Sequence, residues 1–349
     1  MNREDPCPWA LDSCVWEITL RCCFRCAYCG SRAGEARPGE LSTEECLDVA
    51  SQLGDLGCRR VNLIGGEVFL RPDWREITAA LTSRGMAVCV ITNGFIMSRE
   101  ILEDLAALNV ESVAVSLDGP ERVHDRCRQP GSYRRGLEAI AALTGRGIPT
   151  SVISALRADN APLLEEFYET LRTYPIFAWQ LQACSPMGNA GDGGLDTRFD
   201  PLAVIRFAAR IAPEAPFSVG IADNIGYYTP EEESIRGRAG SYFGGCAAGL
   251  QVLGIDSVGN VRGCESLYDE RFIEGNLRHR SLREIWEDEN AFAYNRRFAP
   301  DLLTGKCARC EAGEYCAGGC RSYNFFAGGR LYESPLCPRE EVVNENRPR

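Results

Sequence analysis

Up to about residue 183, short β-rich runs alternate with amphipathic segments, and this alternation constrains the fold more than any other feature. The first amphipathic segment, "STEECLDVASQLGDLG", opens with Ser42 and Glu45 at capping-box spacing, which predicts a helix. Repeated strand–helix units predict an α/β protein with a parallel sheet or barrel. Six units are fewer than the eight of a closed barrel, so we expect a partial (β/α)6 barrel. The runs expected to form strands are residues 14–20, 59–65, 87–92, 111–117, 149–155 and 177–182.

The second half of the sequence changes in character twice. From roughly 184 to 245 it is rich in Gly, Pro and acidic residues, and we interpret this stretch as a bridging region. From 246 onward it contains seven of the 18 cysteines, among turn residues with little periodicity. A segment with so little apolar sequence is expected to depend on bound metal for its core. The sequence therefore predicts three parts, residues 1–183, 184–245 and 246–349.

Charge and hydropathy argue against two kinds of partner. The net charge of −11 and the lack of a Lys/Arg run disfavour nucleic-acid binding. No apolar stretch approaches the roughly 20 residues of a membrane span. The opening "MNREDPCPWALDS" also lacks the apolar run of a signal peptide. We therefore expect a cytoplasmic protein, in a reducing compartment where clustered cysteines bind metal more often than they form disulfides.

Four cysteines fall within "RCCFRCAYCG", on the loop after the first predicted strand. Cys22, Cys26 and Cys29 have the spacing C-x3-C-x2-C, and three thiolates on one short loop can each bind one iron of a [4Fe–4S] cluster. The fourth iron would then be free to take a small molecule. Zinc is the alternative, although zinc needs a fourth Cys or His and the nearest histidine in sequence is His124.

Glycine-rich or polar residues also follow the second, third and fourth predicted strands. The glycines permit close backbone approach, the Glu67 carboxylate suits an ammonium group, and Ser116 and Asp118 can hold hydroxyls. Each position lies at the carboxyl end of a strand, where such barrels build active sites. Any one of them alone would be a turn; together they predict an active site. The residues are Gly65, Gly66, Glu67, Asn93, Ser116 and Asp118.

With these motifs, residues 14 to about 183 resemble the radical S-adenosylmethionine (SAM) superfamily. In that family the three-cysteine loop holds a [4Fe–4S] cluster whose open iron chelates the amino and carboxylate groups of SAM. The resemblance implies that Cys22, Cys26 and Cys29 are the ligands and that Cys23 is not. Val68 departs from the family, which usually has Pro after its Gly-Gly-Glu motif. The implied SAM-binding residues are Tyr28, Gly65, Gly66, Glu67, Asn93, Ser116, Asp118 and Arg128.

The C-terminal cysteines form a second pattern. C-x2-C alone would indicate a zinc ribbon, but the whole pattern resembles the SPASM extension of radical SAM enzymes, which carries auxiliary iron–sulfur clusters. No eighth cysteine occurs in "RGRAGSYFGG", so the inner cluster is expected to have an open iron, a non-cysteine ligand or fewer irons. The resemblance implies that the outer cluster is bound by Cys307, Cys310, Cys316 and Cys337, and the inner one by Cys246, Cys264 and Cys320.

Three residues are candidates for chemistry on the substrate. Glu265 directly follows Cys264, at the position where sulfatase-maturing members have an acidic residue that acts as a base. A surface carboxylate is the alternative. Cys127 and Cys184 follow predicted strands on the active-site side, where a thiol could donate a hydrogen atom to a substrate radical, as in epimerases of the superfamily. Small buried structural cysteines are the alternative.

The resemblance implies a radical SAM oxidoreductase or maturase. The reduced cluster would cleave SAM to methionine and a 5′-deoxyadenosyl radical, which removes hydrogen from an unactivated carbon. The auxiliary clusters would accept an electron from the substrate radical or bind substrate directly. The expected low-potential electron donor is a ferredoxin or flavodoxin.

The expected substrate is a ribosomal peptide that is crosslinked, oxidised or epimerised. Only 21 residues precede Cys22, so a separate leader-binding protein is an expected partner. One alternative is a radical SAM dehydrogenase or epimerase that acts on a small molecule such as a sugar or antibiotic precursor. Another is a non-catalytic zinc or electron-transfer protein.

Overall fold

The computed structural model describes residues 7–236, 242–339 and 342, and within them one sheet has ten strands. The order across the sheet is β10-β9-β8-β1-β2-β3-β4-β5-β6-β7. The pairs from β8 and β1 through β7 are all parallel, whereas β9 pairs antiparallel with both β8 and β10. The strands are β1 Ser13–Glu17, β2 Arg60–Ile64, β3 Ala87–Thr92, β4 Ser112–Ser116, β5 Thr150–Leu156, β6 Ala178–Ala183, β7 Ser218–Ile221, β8 Val252–Ile255, β9 Asn260–Arg262 and β10 Gly275–Asn276.

Helices connect the parallel strands and cover the sheet. Within the described ranges, no helix combines the length and the apolar character that crossing a membrane requires. The helices are α1 Thr43–Asp55, α2 Trp74–Ser83, α3 Arg99–Ala107, α4 Glu121–Cys127, α5 Ser132–Thr144, α6 Leu164–Leu171, α7 Asn189–Asp192, α8 Pro201–Ile211, α9 Glu232–Ile235, α10 Leu282–Trp286, α11 Ala293–Arg296, α12 Gly313–Cys316 and α13 Arg321–Gly328. Short 3₁₀ turns occur at Val68–Leu70, Ala161–Leu163, Glu270–Phe272, Pro300–Leu302 and Cys307–Arg309.

The α/β class and the parallel sheet are confirmed. Each of the six predicted runs contains or overlaps one of the strands β1 to β6. The predicted capping box of α1 is also present, because the Ser42 hydroxyl accepts from the Glu45 N–H at 3.2 Å and the Glu45 carboxylate accepts from the Ser42 N–H at 2.7 Å. The sheet has β10 and β7 at its two edges, so the barrel is open.

One continuous core lies between the sheet and the helices. Cys14 and Trp16 of β1 are fully buried there, as are Val61 and Leu63 of β2. Buried residues alternate with less buried ones along β2 and β3, and each large apolar side chain stabilises the fold by about 1.5–3 kcal/mol when buried. Ile64 of β2 and Ile91 of β3, which belong to the other set, line the cavity described below.

Both later parts of the chain contribute strands to this sheet. Strand β7 pairs in parallel with β6, with Trp179 opposite Val219. Strand β8 pairs in parallel with β1, with Ser13 opposite Val252 and Trp16 opposite Ile255. Sequence patterning did not predict β7 to β10, because these strands are two to four residues long. The C-terminal region is therefore joined by main-chain hydrogen bonds to the strand that leads into the first cysteine loop.

Candidate active site

A cavity of about 300 Å³ lies where strands β1 to β6 end. Carboxyl ends of parallel strands meet at one edge of a sheet, which is why residues distant in sequence converge here. The cavity wall contains most of the residues predicted for the site: Cys22, Cys26, Tyr28, Cys29, Gly65, Gly66, Asn93, Ser116, Arg128 and Cys184. Glu67, Asp118, Cys127 and Glu265 do not line it.

Backbone hydrogen bonds hold the first cysteine loop in place. The Ala27 N–H donates to the Cys127 carbonyl at 2.8 Å, and the Asn189 amide donates to the Cys26 carbonyl at 2.9 Å. The sulfur of Cys22 accepts from the Phe24 N–H at 3.3 Å, and that of Cys29 from the Ala33 N–H at 3.2 Å. Donors of this kind stabilise charge on thiolate ligands.

The loop suits an iron–sulfur cluster. Cys22, Cys26 and Cys29 all line the same cavity, as a cluster with three thiolate ligands requires. Across the described ranges, no three Cys, His, Asp or Glu side chains form a group that could hold one metal ion.

Glu67 lies behind the cavity wall and links the loop after β2 to the end of β3 by hydrogen bonds. Its fully buried carboxylate accepts from the Thr92 hydroxyl at 2.8 Å and from the Asn93 N–H at 2.9 Å. Burial raises the pKa of Glu67 to about 7. A Cβ on Gly66 would collide with the carbonyl oxygens of Leu20 and Arg21, so glycine is needed for this turn to pack beneath the cysteine loop. The motif thus presents its glycines to the cavity and its carboxylate to the protein interior.

Asp118 anchors a buried ionic network behind the wall. Its carboxylate accepts from Arg128 at 2.7 Å and from the Tyr28 hydroxyl at 2.5 Å. Burial alone would raise the pKa of Asp118, but the charge of Arg128 outweighs it and holds that pKa well below its usual range. Arg128 and Arg157 stack over the Tyr28 ring, at 5.3 and 4.9 Å from its centroid. Asp118 therefore fixes Tyr28 and Arg128, which do reach the cavity.

The two candidate thiols differ in position. Cys184 lines the cavity, and burial raises its pKa to about 12, so it keeps its hydrogen at neutral pH. Cys127 is buried away from the wall, and its sulfur lies 3.8 Å from the Asp159 carboxylate.

Glu265 lies in a buried charged group between β1, β8 and β9. Burial, and then the charge of Glu17, raise the pKa of Glu265 well above its usual value. Neither carboxylate oxygen has a hydrogen-bond partner among the described residues. Arg37 pairs with Glu17, and Arg262 pairs with Asp256 at 2.9 Å. The next residue, Ser266, lines the cavity, so Glu265 lies just behind the wall.

Four C-terminal cysteines enclose a second, much smaller cavity of about 20 Å³. Their grouping fits a closed site with four thiolate ligands. The Ser334 N–H donates to the Cys307 sulfur at 3.4 Å, and the Lys306 ammonium donates to the Cys337 carbonyl at 2.7 Å. The cysteines on this cavity are Cys307, Cys310, Cys316 and Cys337.

The other three C-terminal cysteines form a separate group. Burial raises the pKa of Cys264 to about 11 and also raises that of Cys320, and the nearby charge of Cys246 adds to both. Helix α11 is fastened to this group because the Asn295 amide donates to the carbonyl of Cys246 at 3.1 Å. Burial likewise raises the pKa of the neighbouring Tyr294, whose phenol therefore stays protonated.

Several cavity residues were not predicted from the sequence. Ser185 and Met187 carry no motif, and Ser266 belongs to the C-terminal region. Gln182 lies at the end of a predicted strand, so the rule that identified Ser116 would also have indicated it. Asn224 follows β7, which was not predicted, and its amide pairs with the backbone of Ala183 at 2.8–2.9 Å.

Comparisons with known proteins agree with this geometry. The family model of the Radical SAM superfamily matches residues 16–171, and that of the SPASM iron–sulfur cluster-binding domain matches residues 246–311. Mycofactocin maturase MftC of Mycobacterium tuberculosis is 30% identical over 321 residues, which are 90% of this chain and 79% of MftC. The chain belongs to the radical SAM superfamily. It is an enzyme with a SPASM region, and it binds iron–sulfur clusters and SAM.

Other proteins similar to this radical SAM enzyme include a heme synthase and two structures with bound SAM. AdoMet-dependent heme synthase of Methanosarcina barkeri is 29% identical over 337 residues, 93% of this chain and 95% of the synthase. Streptococcus suis SuiB bound to S-adenosylmethionine shares the fold, with a TM-score of 0.76 and 17% identity over 94% of this chain and 77% of SuiB. The structure of anSMEcpe with bound AdoMet has a TM-score of 0.73 and 15% identity, over 96% of this chain and 92% of anSMEcpe.

Proposed function

We propose that this enzyme removes a hydrogen atom from a peptide during the maturation of a ribosomal peptide, by crosslinking, oxidation or epimerisation. The observation that carries the proposal is the cavity wall near the end of β6, where Gln182, Ser185 and Ser266 offer uncharged amide and hydroxyl groups. Among the described lining residues, Arg128 is the one Lys or Arg, and it is paired with Asp118. Such a wall suits peptide amides, whereas a substrate with several anionic groups would need unpaired cations.

The proposed cofactor site uses the first cysteine loop. Cys22, Cys26 and Cys29 hold the [4Fe–4S] cluster, and Tyr28, Gly65, Gly66, Asn93, Ser116 and Arg128 surround SAM. When bound, the cluster and SAM supply the radical that abstracts hydrogen. Glu67 and Asp118 serve this site from behind the wall, the first by joining the loops after β2 and β3, the second by fixing Tyr28 and Arg128.

Two side chains have proposed roles in proton or hydrogen transfer. Glu265 is the proposed proton acceptor: it lies behind the wall next to Ser266, which lines the cavity, so the substrate would have to reach past Ser266, and its buried, unpartnered carboxylate is a strong base once ionised. Cys184 returns a hydrogen atom if the reaction is an epimerisation, because its protonated thiol faces the cavity. Cys127, also a candidate, is a weaker one because it is buried behind the wall.

The proposed auxiliary sites divide the other cysteines. Cys307, Cys310, Cys316 and Cys337 bind the outer cluster, and Cys246, Cys264 and Cys320 bind the inner one. The corresponding parts of the chain are a SAM-binding part at 1–183, a bridging part at 184–245 and an auxiliary part at 246–349. The proposed partners are a ferredoxin or flavodoxin as electron donor and a separate protein that binds the peptide leader.

A second candidate is synthesis of a small molecule. The heme synthase of Methanosarcina barkeri matches over 95% of its own length, compared with 79% for MftC, at almost equal identity. The chain matches the heme synthase in length better than it matches MftC, which favours a substrate other than a peptide. However, the cavity wall has few charged groups, which disfavours a small-molecule substrate with several carboxylates.

Co-expression with each short open reading frame beside the gene tests the proposal. The peptide mass is recorded in water and in deuterium oxide, with Cys26→Ala as the inactive control. Loss of two hydrogens from the peptide indicates crosslinking or oxidation. A mass that is unchanged in water but shows a gain of deuterium in deuterium oxide indicates epimerisation. No change in any neighbouring peptide contradicts the peptide proposal. Formation of 5′-deoxyadenosine with a small molecule, absent with every peptide, would support the second candidate.

A further inference from the structure

We propose that the hydroxyl of Tyr294 donates a hydrogen bond to a sulfur atom of the inner auxiliary cluster and thereby tunes its reduction potential. The inference rests on the proposed ligand set Cys246, Cys264 and Cys320. It makes Tyr294 a positioning residue of that metal site rather than a ligand or a catalytic residue.

The first observation is an unsatisfied donor. The phenolic oxygen of Tyr294 is buried, the nearby Gly263 N–H can only donate to it, and no described residue accepts a hydrogen bond from its hydroxyl. Leaving such a group unpaired costs about 1–3 kcal/mol, so a buried hydroxyl normally has an acceptor. Sulfur in a cluster is an acceptor that the polypeptide alone does not supply.

The second observation is where this hydroxyl lies. Gly263 directly precedes Cys264, and a Cβ added to Gly263 would collide with the Tyr294 hydroxyl. The hydroxyl is therefore in close contact with the turn that presents Cys264. Cys246, Cys264 and Tyr294 also pack against one apolar group, which consists of Ala248, Leu267 and Phe272.

The third observation is that the ring is held rigidly. Its face-to-edge contact with Phe272 has a centroid distance of 5.5 Å. The adjacent Asn295 amide donates to the carbonyls of Cys246 at 3.1 Å and Ala248 at 2.7 Å. The Tyr332 hydroxyl donates to the Tyr294 carbonyl at 3.1 Å. The short helix α11 thus ties the phenol to the same loop that carries Cys246.

Hydrogen bonds to cluster sulfur favour the reduced, more negative cluster and raise its potential. The Tyr294→Phe variant removes the donor and keeps the ring. We expect unchanged iron content and a more negative inner-cluster potential, by at least ~30 mV, which corresponds to about a threefold change in the redox equilibrium. The Tyr315→Phe variant, which loses an exposed hydroxyl elsewhere in the C-terminal region, should leave the potential unchanged.

The measurement is an anaerobic redox titration of the fully loaded enzyme, followed by electron paramagnetic resonance. The signal lost in Cys264→Ala identifies the inner cluster. In wild-type enzyme, the same cluster should also show coupling to one exchangeable proton that disappears in Tyr294→Phe. An unchanged potential, no such proton in wild type, or loss of iron from Tyr294→Phe would each overturn the inference. Full iron content in Cys264→Ala would instead contradict the proposed ligand set.

Discussion

The two best-defined cysteine sites differ in how far they are closed. Cys22, Cys26 and Cys29 lie on the wall of a cavity of about 300 Å³, together with residues from the five strands β2 to β6. Cys307, Cys310, Cys316 and Cys337 surround a cavity of about 20 Å³, which Tyr227 and Tyr228 also line. A three-thiol site on an open wall leaves room for a second molecule, whereas a four-thiol site without that room suits structure or electron transfer.

The difference follows from the placement of each group in the fold. The first loop lies at the carboxyl edge of a parallel sheet, so neighbouring strands deliver residues to it from distant parts of the chain. The outer group depends on 3₁₀ turns and short helices between Cys307 and Cys316, with Cys337 added from the C-terminal side. The open site is therefore assembled from the ends of distant strands, whereas the closed site takes three of its four cysteines from one short stretch of the chain.

The largest effect is expected at the open site. Cys26→Ala should remove about four irons per chain and reduce SAM cleavage to background, because one of three thiolates is lost. Cys23→Ala is the matched control: it is adjacent in the same loop, and we expect it to retain both iron and cleavage. Iron analysis and a dithionite assay for 5′-deoxyadenosine measure this. Equal loss in the two variants would contradict the proposed division of the loop.

Glu265 links the open site to the C-terminal region, and its replacement tests chemistry rather than cofactor binding. Glu265→Gln should lower product formation by about 10²–10⁴-fold, the contribution typical of a general base, while SAM cleavage is retained. Glu287 is exposed and forms an ion pair with Arg283, so Glu287→Gln serves as a control and should behave as wild type. Product measured by mass spectrometry at wild-type rate in Glu265→Gln would reject the role.

At the closed site, cluster loss should be separable from SAM cleavage. Cys310→Ala should remove about four irons and lower the Tm, since metal binding contributes to folding of a region with few apolar residues. Cleavage of SAM should stay within about threefold of wild type, since Cys310 is not on the wall of the larger cavity. Abolished cleavage in a folded, SAM-cluster-loaded variant would show that the two sites are not independent.

The smallest expected effect is on the pH dependence of stability, through Glu67 behind the wall of the open site. The pKa of Glu67 is raised to about 7 from its ordinary 4.5, so its stabilising contribution is complete below pH 4.5 and is lost as pH rises through 7. Glu67→Gln removes this titration and should gain a few degrees of Tm relative to wild type between pH 5 and 8. If the Tm of the two proteins changed with pH in parallel, burial would not raise the pKa of Glu67 as assigned here.

The sequence predicted the parts of the fold that repeat and missed the parts that do not. Strands β1 to β6 follow a regular strand–helix alternation, and each was expected at nearly its observed position. The pairing of Trp16 with Ile255 joins residues far apart in the chain, and no local pattern encodes it. Short strands such as β9, Asn260–Arg262, carry too few residues for periodicity to be read.

The site shows the same division. Motif residues such as Gly66 and Asn93 were predicted because they directly follow strands, and they do line the cavity. The sequence could not indicate that the Glu67 carboxylate turns inward, since side-chain direction depends on the Thr92 and Asn93 donors across the next strand. The sequence likewise could not indicate the raised pKa of Glu265. That pKa depends on burial and on the charge of Glu17, and no motif connects the two residues.

The pairing of β1 with β8 has a consequence for synthesis on the ribosome. Strand β1 is made first, yet the edge that β8 covers stays unpaired until residues 252–255 have emerged. At about 5–20 residues per second, that edge is available for wrong pairing for tens of seconds. The nascent chain therefore displays its first cysteine loop beside a sheet edge that is still open to wrong pairing.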